Sequence, residues 1–362
     1  MRSVLAQPEH DLELVVSDNA SDDVTVQVLR SFGDDPRLKV VRQPEPVSVT
    51  VNWRRTLEAA SGDYVLLIGD DDCLLEGTVA RLVGLLEHYD APEVLSFGAY
   101  GFAFPGAFGA ASPAHYSDPL FPPNPKLPER GLLSRSDRER CVRDFFAFDM
   151  TFCPNLQTTL VARAAFLGLP NGPFREPYPD FYATTALLLT APRWAHDHEN
   201  LVVVGVSPKS FGRTVMSGDG DAGRDYLGID TAFPGELPGN DMINGTHVFL
   251  ERLHEDYGQQ LDPIAISRSK YVYRQSYAWY LDFRLGKIDG RELRRRMGLL
   301  SAGDWLGFAR ELGARFGPTM IRNHARVDER SEIASVWANM RPIPEMRTIS
   351  EFAAWASSRM TR

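Results

Sequence analysis

Three consecutive aspartates, Asp70, Asp71 and Asp72, follow a short apolar segment at residues 64–68. Several carboxylates buried together are costly unless a cation neutralises their charge. Mg²⁺ and Mn²⁺ are commonly held by one or two carboxylates together with substrate phosphates and water. The triplet therefore indicates a site that joins a divalent metal to a diphosphate. Taken alone, it is equally typical of an exposed acidic turn that caps the helix starting near Glu76.

The elements around the triplet alternate between strands and helices. This alternation is typical of a mostly parallel sheet flanked by helices, whose ligands bind beyond the C-terminal ends of the strands. A second acidic loop, from Ser17 to Asp23, also follows a strand. Both acidic loops are therefore expected at one edge of the sheet. Strands are predicted over 12–16, 38–42, 64–68 and 94–97, and helices over 24–32, 51–60 and 76–89.

The composition excludes several classes of protein. The chain has 362 residues, of which 43% are hydrophobic, which is sufficient for a packed core. Its net charge of −9 argues against a surface built mainly to bind nucleic acid or anionic lipid. The apolar runs are much shorter than the roughly 18 to 20 residues that cross a bilayer, so no transmembrane helix is expected. Three cysteines without a Cys-x-x-Cys pair favour a cytoplasmic setting.

The motifs in the first hundred residues, taken in order, resemble the inverting family 2 glycosyltransferases with the GT-A fold. The chain reads LELVVSDNASDD over 12–23, has Asn52 on a predicted helix, and reads GDYVLLIGDDD over 62–72. This order is similar to that family's strand with an acidic loop, its Asn-bearing helix, and its Gly-Asp-Tyr strand that ends in the DXD motif. The resemblance covers residues 2–100 well and 150–212 loosely.

The resemblance implies a pocket for a nucleotide. Asp18 would accept the imino hydrogen of a uridine-type base, and Asn19 would lie in the same loop. Asn52 would support the pocket, and Asp70 would lie near the ribose. The alternatives are a helix-capping or turn role for Asp18 and a solvent-facing position for Asn52.

The resemblance also implies the groups that carry the chemistry. Asp71 would ligate Mn²⁺ or Mg²⁺, with Asp72 as co-ligand or support, and the metal would act as a Lewis acid on the diphosphate leaving group. In this family the base for the acceptor hydroxyl is a carboxylate that precedes a helix, after a Gly-x-Phe segment. Gly-Pro-Phe at 172–174 makes Asp180 the candidate base and Glu176 the reserve. An ordinary helix N-cap is the alternative for Asp180.

Together these motifs predict an α/β fold of the GT-A type, Rossmann-like, over residues 1–215, followed by a helical region over 216–362. The expected reaction is metal-dependent, inverting transfer of a sugar from a nucleotide-sugar donor, UDP-linked, to a hydroxyl on a sugar or a lipid-linked sugar. Such a reaction belongs to polysaccharide or glycoconjugate biosynthesis. No nucleic acid partner is expected. The arginine run at 294–296 suits docking to a partner, to a membrane surface or to the catalytic domain.

One part of the family pattern is not matched. The family opens with a strand and a Pro-Thr-Tyr-Asn-like segment that walls the nucleotide pocket, whereas this sequence begins at what matches the next helix, at 3–7. Either the start codon is misplaced, or the protein lacks this first strand; in the second case the sheet is expected to lack a central strand. A non-catalytic protein that binds sugar nucleotides is one alternative function. A nucleotidyltransferase is another, although the Gly-rich phosphate loop that would favour it is not visible.

Two further motifs can be interpreted as surface structure without a catalytic role. His196-Asp197-His198 is predicted to be a solvated charged turn before a strand, since no third metal ligand accompanies the pair. The segment after that strand, 207–213, offers Lys209 or Arg213 to a diphosphate, or is a surface loop.

Overall fold

The computed structural model describes residues 1–121, 124, 126–149, 155–208, 210, 233–262, 264–317 and 340–360. Within these ranges the chain forms a central sheet flanked by helices, which confirms the α/β fold class. The described residues contain no helix with both the length and the apolar composition that a membrane span requires.

The N-terminal elements follow the predicted alternation. Two helices begin at side-chain caps, because Asp22 accepts a hydrogen bond from the backbone N–H of Thr25 at 3.1 Å and Ser48 accepts one from Val51 at 3.4 Å. The elements are α1 (Arg2–Leu5), β1 (Leu14–Asp18), α2 (Asp23–Arg30), β2 (Leu38–Arg42), α3 (Val49–Ala59), β3 (Tyr64–Leu66), β4 (Cys73–Leu74) and α4 (Thr78–His88).

The middle of the chain completes the sheet, and the C-terminal part is mainly helical. The middle elements are β5 (Val94–Ala103), β6 (His115–Ser117), β7 (Arg130–Leu132), α5 (Arg135–Phe146), β8 (Thr159–Ala162), α6 (Arg163–Leu167), α7 (Pro179–Thr190) and β9 (Trp194–Val206). The C-terminal elements are α8 (Asp241–Leu261), α9 (Arg268–Arg284), α10 (Gly290–Met297), α11 (Ala302–Arg315), β10 (Arg341–Pro342) and α12 (Ile349–Met360).

The large sheet is mixed, so the prediction of a mostly parallel sheet is wrong. Strand β5 pairs in parallel with β9 but antiparallel with β6 and β8, and β8 pairs antiparallel with β3. Strand β9 pairs antiparallel with β4 and β7. The strand that comes after β3 and α4 in the chain is β5, yet β8 lies between β3 and β5. The alternation of elements predicts which segments are strands. It does not predict their pairing, because β8, which is distant in the sequence, lies between β3 and β5.

Strands β1 and β2 form a separate parallel sheet, in which Leu14 pairs with Leu38 and Asp18 with Arg42. Among the described residues no strand joins β1 to β3. The start of β1 is linked to the start of β3 by the Glu13 carboxylate, which accepts a hydrogen bond from the backbone N–H of Gly62 at 2.8 Å.

One hydrophobic core joins the sheet to the C-terminal helices. It contains Leu57 of α3, Trp194 of β9 and Trp279 of α9. A smaller cluster holds α12 on the sheet, because Phe352 stacks on Phe102 of β5 with ring centroids 5.2 Å apart. Strand β10 also pairs with β6. The end of the chain therefore returns to the sheet, and the boundary predicted between residues 215 and 216 lies outside the described residues.

His196 lies inside β9 and is buried, so the prediction of a solvated turn is wrong. Its Nδ1 is 2.9 Å from the hydroxyl of Ser96, which also accepts a hydrogen bond from Nε1 of Trp194 at 2.8 Å. Asp197 beside it is buried against Arg130 at 3.4 Å. The charged residues stay in the strand because partners on neighbouring strands satisfy them.

Candidate functional site

The carboxylate of Asp72 points inward and holds the triplet against β9. It accepts hydrogen bonds from the backbone N–H groups of Gly69 at 2.6 Å and Gly205 at 2.9 Å. Burial raises the pKa of Asp72 to about 7, the two N–H donors oppose that rise, and the charges of Asp71 and Asp70 add to it. The helix-capping alternative for the triplet is wrong, since the N-cap of α4 is Gly77.

The triplet loop sits directly on the end of β9, and Gly205 permits this contact. A Cβ atom at Gly205 would lie 1.8 Å from the backbone oxygen of Asp71, which no side chain could tolerate. Gly69 is less strictly required, because its Cβ would lie 3.0 Å from Oδ1 of Asp71, a side-chain atom that can shift. The backbone of the loop is therefore placed mainly by Gly205 and the buried carboxylate of Asp72.

Asp71 and Asp70 point away from the core. Asp71 is half-buried, and its Oδ2 accepts a hydrogen bond from the hydroxyl of Ser210. That hydroxyl also accepts a hydrogen bond from the backbone N–H of Ser207 at 2.7 Å, which orients it. Asp70 is exposed. Sequence reasoning did not single out Ser210, although it lies in the segment after β9, whose candidates Lys209 and Arg213 lie outside the described residues.

Asp18 is a buried, ionised carboxylate at the C-terminal end of β1. Only 3% of the residue is exposed, and Oδ1 accepts a hydrogen bond from the backbone N–H of Ser21 at 2.8 Å. Burial acts to raise the pKa of Asp18, but hydrogen bonding to Ser21 and the charge of Arg42, 3.5 Å away, outweigh it and hold the pKa below its usual value. Its Oδ2 is buried without a hydrogen-bond partner among the described residues. Helix α2 is capped by Asp22, so Asp18 does not cap it.

The two asparagines predicted for the nucleotide pocket lie beside Asp18 and support its surroundings. The side-chain amide of Asn19 donates to the backbone oxygen of Val47 and accepts from its N–H, both at 2.9 Å. Asn52 accepts a hydrogen bond from the hydroxyl of Ser17 at 2.6 Å, which ties α3 to the residue before Asp18. Asn52 is therefore not a solvent-facing residue without contacts, and a direct role in ligand binding stays a prediction for both.

Asp180 lies in the first turn of α7, whose N-cap is Tyr178, so the N-cap alternative for Asp180 is wrong. Burial raises the pKa of Asp180, while the backbone N–H groups of Phe181 and of Asp180 itself act to lower it. Glu176, the reserve candidate, lies just ahead of the helix and is half-buried.

The segment that carries Asp180 packs against the nucleotide side of the site. The ring of Phe174 meets Trp53 of α3 edge-on, with centroids 5.7 Å apart, and Trp53 adjoins Asn52. Among the described residues no hydrogen bond or ion pair joins Asp180 to the aspartate triplet. The structure therefore packs the segment that precedes Asp180 against α3 and shows no direct link between Asp180 and Asp71 among the described residues.

Of the two residues predicted to bind the metal, Asp71 and Asp72, only Asp71 turns its carboxylate outward. No three His, Cys, Asp or Glu side chains in the described ranges gather as a metal-binding group. Both oxygens of Asp72 already accept backbone hydrogen bonds. A single carboxylate at Asp71 nevertheless fits Mg²⁺ or Mn²⁺, because such ions often take their remaining ligands from phosphate and water.

A cavity of about 530 Å³ lies elsewhere, between α4 and the start of β9, where Arg81, Arg130 and Asp197 line it. Asp197 follows His196, which pairs with Ser96 of β5, whereas Gly205 pairs with Phe102, six positions further along β5 and about 20 Å away. The cavity is therefore separate from the triplet.

Residues 1–107 match the family model described as glycosyl transferase family 2. Over 85 residues the chain is 35% identical to the GalNAc(5)-diNAcBac-PP-undecaprenol beta-1,3-glucosyltransferase of Campylobacter jejuni. The match covers 23% of this chain and 28% of that relative, so the chain spans well under two thirds of the relative's length.

A similar fold occurs in the crystal structure of S. aureus TarS in complex with UDP-GlcNAc. The two chains superpose with a TM-score of 0.51 at 14% identity, over 93% of this chain and 85% of the other. At this identity the likeness establishes the fold alone. It confirms the GT-A type predicted from the motifs.

Proposed function

We propose that this protein, whose residues 1–107 belong to glycosyltransferase family 2, transfers a sugar from a nucleotide-sugar donor to a hydroxyl acceptor. The observation that carries the proposal is the Asp18 carboxylate, whose buried Oδ2 lies 3.5 Å from Nη1 of Arg42 in an ion pair but has no hydrogen-bond partner among the described residues. A buried acceptor without a hydrogen bond costs up to roughly 1–3 kcal/mol, and the ion pair offsets part of that cost. A ligand that donates a hydrogen bond at this position would recover the rest.

The chemistry of Asp18 favours a uridine donor. The imino group of uracil is a hydrogen-bond donor, whereas the equivalent ring nitrogen of cytosine carries no hydrogen. An ionised carboxylate accepts hydrogen bonds and cannot donate them. Asp18 would therefore accept from uracil and repel cytosine, which supports a UDP-linked sugar as the donor.

The proposed metal ligand is Asp71, with Mn²⁺ or Mg²⁺ as the ion. When bound, the ion would supply a Lewis acid for the diphosphate leaving group. Asp72 would keep the loop in place through Gly69 and Gly205, and the hydroxyl of Ser210 would orient Asp71. Asp70 would face the ribose from the exposed side of the loop.

Asp180 is the proposed base of an inverting displacement. It would take the proton of the acceptor hydroxyl while that oxygen forms a bond to the anomeric carbon. The bond from this carbon to the phosphate oxygen breaks, and the nucleoside diphosphate leaves with the electron pair. Burial favours this role, because a raised pKa makes a carboxylate a stronger proton acceptor.

The proposed acceptor is a sugar or a lipid-linked sugar. The Campylobacter relative is by its name an enzyme that acts on a polyprenyl-diphosphate glycan, which supports this class. A second candidate function is sugar-nucleotide binding without transfer, and it is favoured because no hydrogen bond or ion pair joins Asp180 to the aspartate triplet among the described residues.

Release of UDP from a panel of UDP-sugars tests the proposal and separates the two candidates. Transfer or slow donor hydrolysis should require Mn²⁺ or Mg²⁺ and should be much weaker with CDP-sugars. Binding of UDP without any release, with and without an acceptor extract, would instead favour the non-catalytic function. Equal use of UDP- and CDP-linked donors would contradict the role of Asp18.

A further inference from the structure

Helix α11 presents apolar side chains to solvent. Leu306 is 75% exposed, Trp305 is 41% exposed, and Phe316, just beyond the helix, is 70% exposed. The other exposed positions of α11 are small residues, with Arg310 as the charged exception: Ala302, Gly303, Ala309, Gly313 and Ala314. A surface helix normally turns its apolar stripe to the core and its charges to water.

The polar residues of α11 face the protein instead. Asp304 forms an ion pair with Arg268 of α9 at 2.9 Å, and Glu311 accepts a hydrogen bond from the hydroxyl of Ser269 at 3.1 Å. Arg315 binds Asp149 at 2.9 Å. These contacts fix the rotation of α11 about its axis, so the helix cannot roll to bury Trp305 and Leu306.

The inner face of α11 is also closely packed on α9. A Cβ atom at Gly307 would lie 2.9 Å from the side chain of Ser269, and Phe308 contacts Tyr273 with ring centroids 6.0 Å apart. The apolar outer face of α11 is therefore fixed by the packing of its inner face on α9.

Helix α10, which like α11 packs on α9, adds positive charge next to α11 in the chain. The segment 283–316 contains eight Lys or Arg against four Asp or Glu, in a chain whose net charge is −9. Exposed members of this set include Arg291, Arg294 and Arg295 of α10. A turn of four residues joins α10 to α11, so the arginines and the apolar residues lie close together. The segment between the helices contributes Leu299, which is 50% exposed.

We propose that these exposed residues of α10 and α11, the α10–α11 surface, dock the protein on a bilayer that contains anionic lipid. Trp305, Leu306 and Phe316 would enter the boundary between headgroups and acyl chains, where tryptophan and leucine are favoured. Arg294 and Arg310 would contact acidic headgroups.

The charge of the α10–α11 surface favours an anionic membrane as its partner. The remainder of the chain is acidic and is repelled by an anionic membrane, so the basic α10–α11 surface determines which side approaches it. A single convex helix with small residues between its large ones offers no groove for a partner's side chain. Docking does not depend on the proposed transfer. If the protein both docks and transfers a sugar, a lipid-linked sugar is the acceptor class that the membrane would supply.

Flotation of the full chain with vesicles tests the proposal. The vesicles are phosphatidylcholine alone or phosphatidylcholine mixed with phosphatidylglycerol. Wild-type protein should float with the anionic vesicles, weakly with the neutral ones, and less at high salt. The double variant Trp305→Ser/Leu306→Ser should bind the anionic vesicles at least about tenfold more weakly, because it loses most of the inserted apolar area.

Matched controls change similar residues on other surfaces. Leu167→Ser removes a leucine that is 51% exposed on α6, and Arg30→Glu reverses an exposed charge on α2. Both should float like wild type, whereas Arg294→Glu should bind several-fold more weakly. Unchanged flotation of Trp305→Ser/Leu306→Ser, or no flotation of wild type, would overturn the proposal. So would a dimer in sedimentation velocity that the double variant abolishes, since the surface would then join two copies.

Discussion

The carboxylate of Asp72 accepts a hydrogen bond from the backbone N–H of Gly205 at 2.9 Å, across 133 positions of sequence. A second bond, from the N–H of Gly69, occupies its other oxygen. Asp72 therefore joins the end of β3 to the end of β9 and decides where Asp71 points. Within one run of three aspartates, one residue holds the loop and its neighbour faces the ligand.

Replacing Asp72 with alanine should mainly affect stability. The variant leaves two backbone N–H groups without their acceptor, and a buried unsatisfied donor costs about 1–3 kcal/mol. We expect Asp72→Ala to lower the free energy of unfolding in urea by about 2 kcal/mol, and Asp71→Ala to lower it by less than about 1 kcal/mol. Equal losses in the two variants would contradict the division of roles.

Replacing Asp71 with alanine should remove metal-dependent donor binding while the fold stays intact. Asp71 is the triplet carboxylate with an oxygen available to an ion, and the fold does not depend on it. UDP titrations with and without Mn²⁺ measure this effect by calorimetry. The Mn²⁺-dependent gain in affinity should be large in wild type and absent in Asp71→Ala. A variant that keeps the full gain would rule out Asp71 as the ligand.

Replacing Asp18 with alanine should weaken nucleotide binding without changing its metal dependence. The proposed partner of Asp18 is the base, and a hydrogen bond to a charged group contributes about 1.5–3 kcal/mol, or roughly tenfold to a hundredfold in affinity. UDP should be affected and inorganic diphosphate should not. If both ligands weaken alike, Asp18 belongs to the metal site or to the fold.

Replacing Asp180 with asparagine should lower turnover and leave donor affinity within a few-fold of wild type. General-base assistance contributes about 10² to 10⁴-fold, and a base acts on the acceptor proton in the transition state. Asparagine preserves the size of the side chain. The melting temperature should therefore stay unchanged. Glu176→Gln is the matched control, and the assignment moves to Glu176 if that variant loses turnover and Asp180→Asn does not.

Acidification should destabilise the fold through His196. Burial lowers the pKa of His196 to about 4 from its usual 6.5, and the charge of His198 adds to the effect, while Asp197 opposes it. Between pH 6.5 and pH 4 the unfolded chain binds a proton that the folded chain refuses, so stability falls as the pH falls. The loss is about 1.4 kcal/mol per pH unit over that window, or about 3 kcal/mol in total.

Urea unfolding at several pH values measures this contribution. His196→Gln keeps a hydrogen-bonding group near Ser96 but cannot take up a proton, so its free energy of unfolding should fall less steeply between pH 6.5 and pH 4. His247 is half-buried, and its pKa is likewise lowered to about 4, so adding His247→Gln should flatten the curve further. A slope identical to wild type in both variants would show that other groups control acid stability.

Local interactions made several features readable from the sequence alone. The strands that precede the two acidic loops, predicted over 12–16 and 64–68, depend on neighbours within a few positions. Helix caps are equally local, as at Asp289, which accepts hydrogen bonds from the N–H groups of Arg291 and Glu292. Side-chain periodicity and capping act over one turn or one strand, so they can be recognised in a short stretch of sequence.

The tertiary structure decided what depends on distant partners. The insertion of β8 between β3 and β5 made the sheet mixed, although the sequence alternates strands and helices there. His196 is buried in β9, where Ser96 of the paired strand β5 bonds to its ring and also accepts a hydrogen bond from Trp194. Asp72 differs from Asp71 because Gly205, far along the chain, supplies a donor to one and not to the other. Burial and hydrogen bonding between residues so far apart in the sequence depend on which elements become neighbours in the fold. A local sequence pattern does not specify those neighbours.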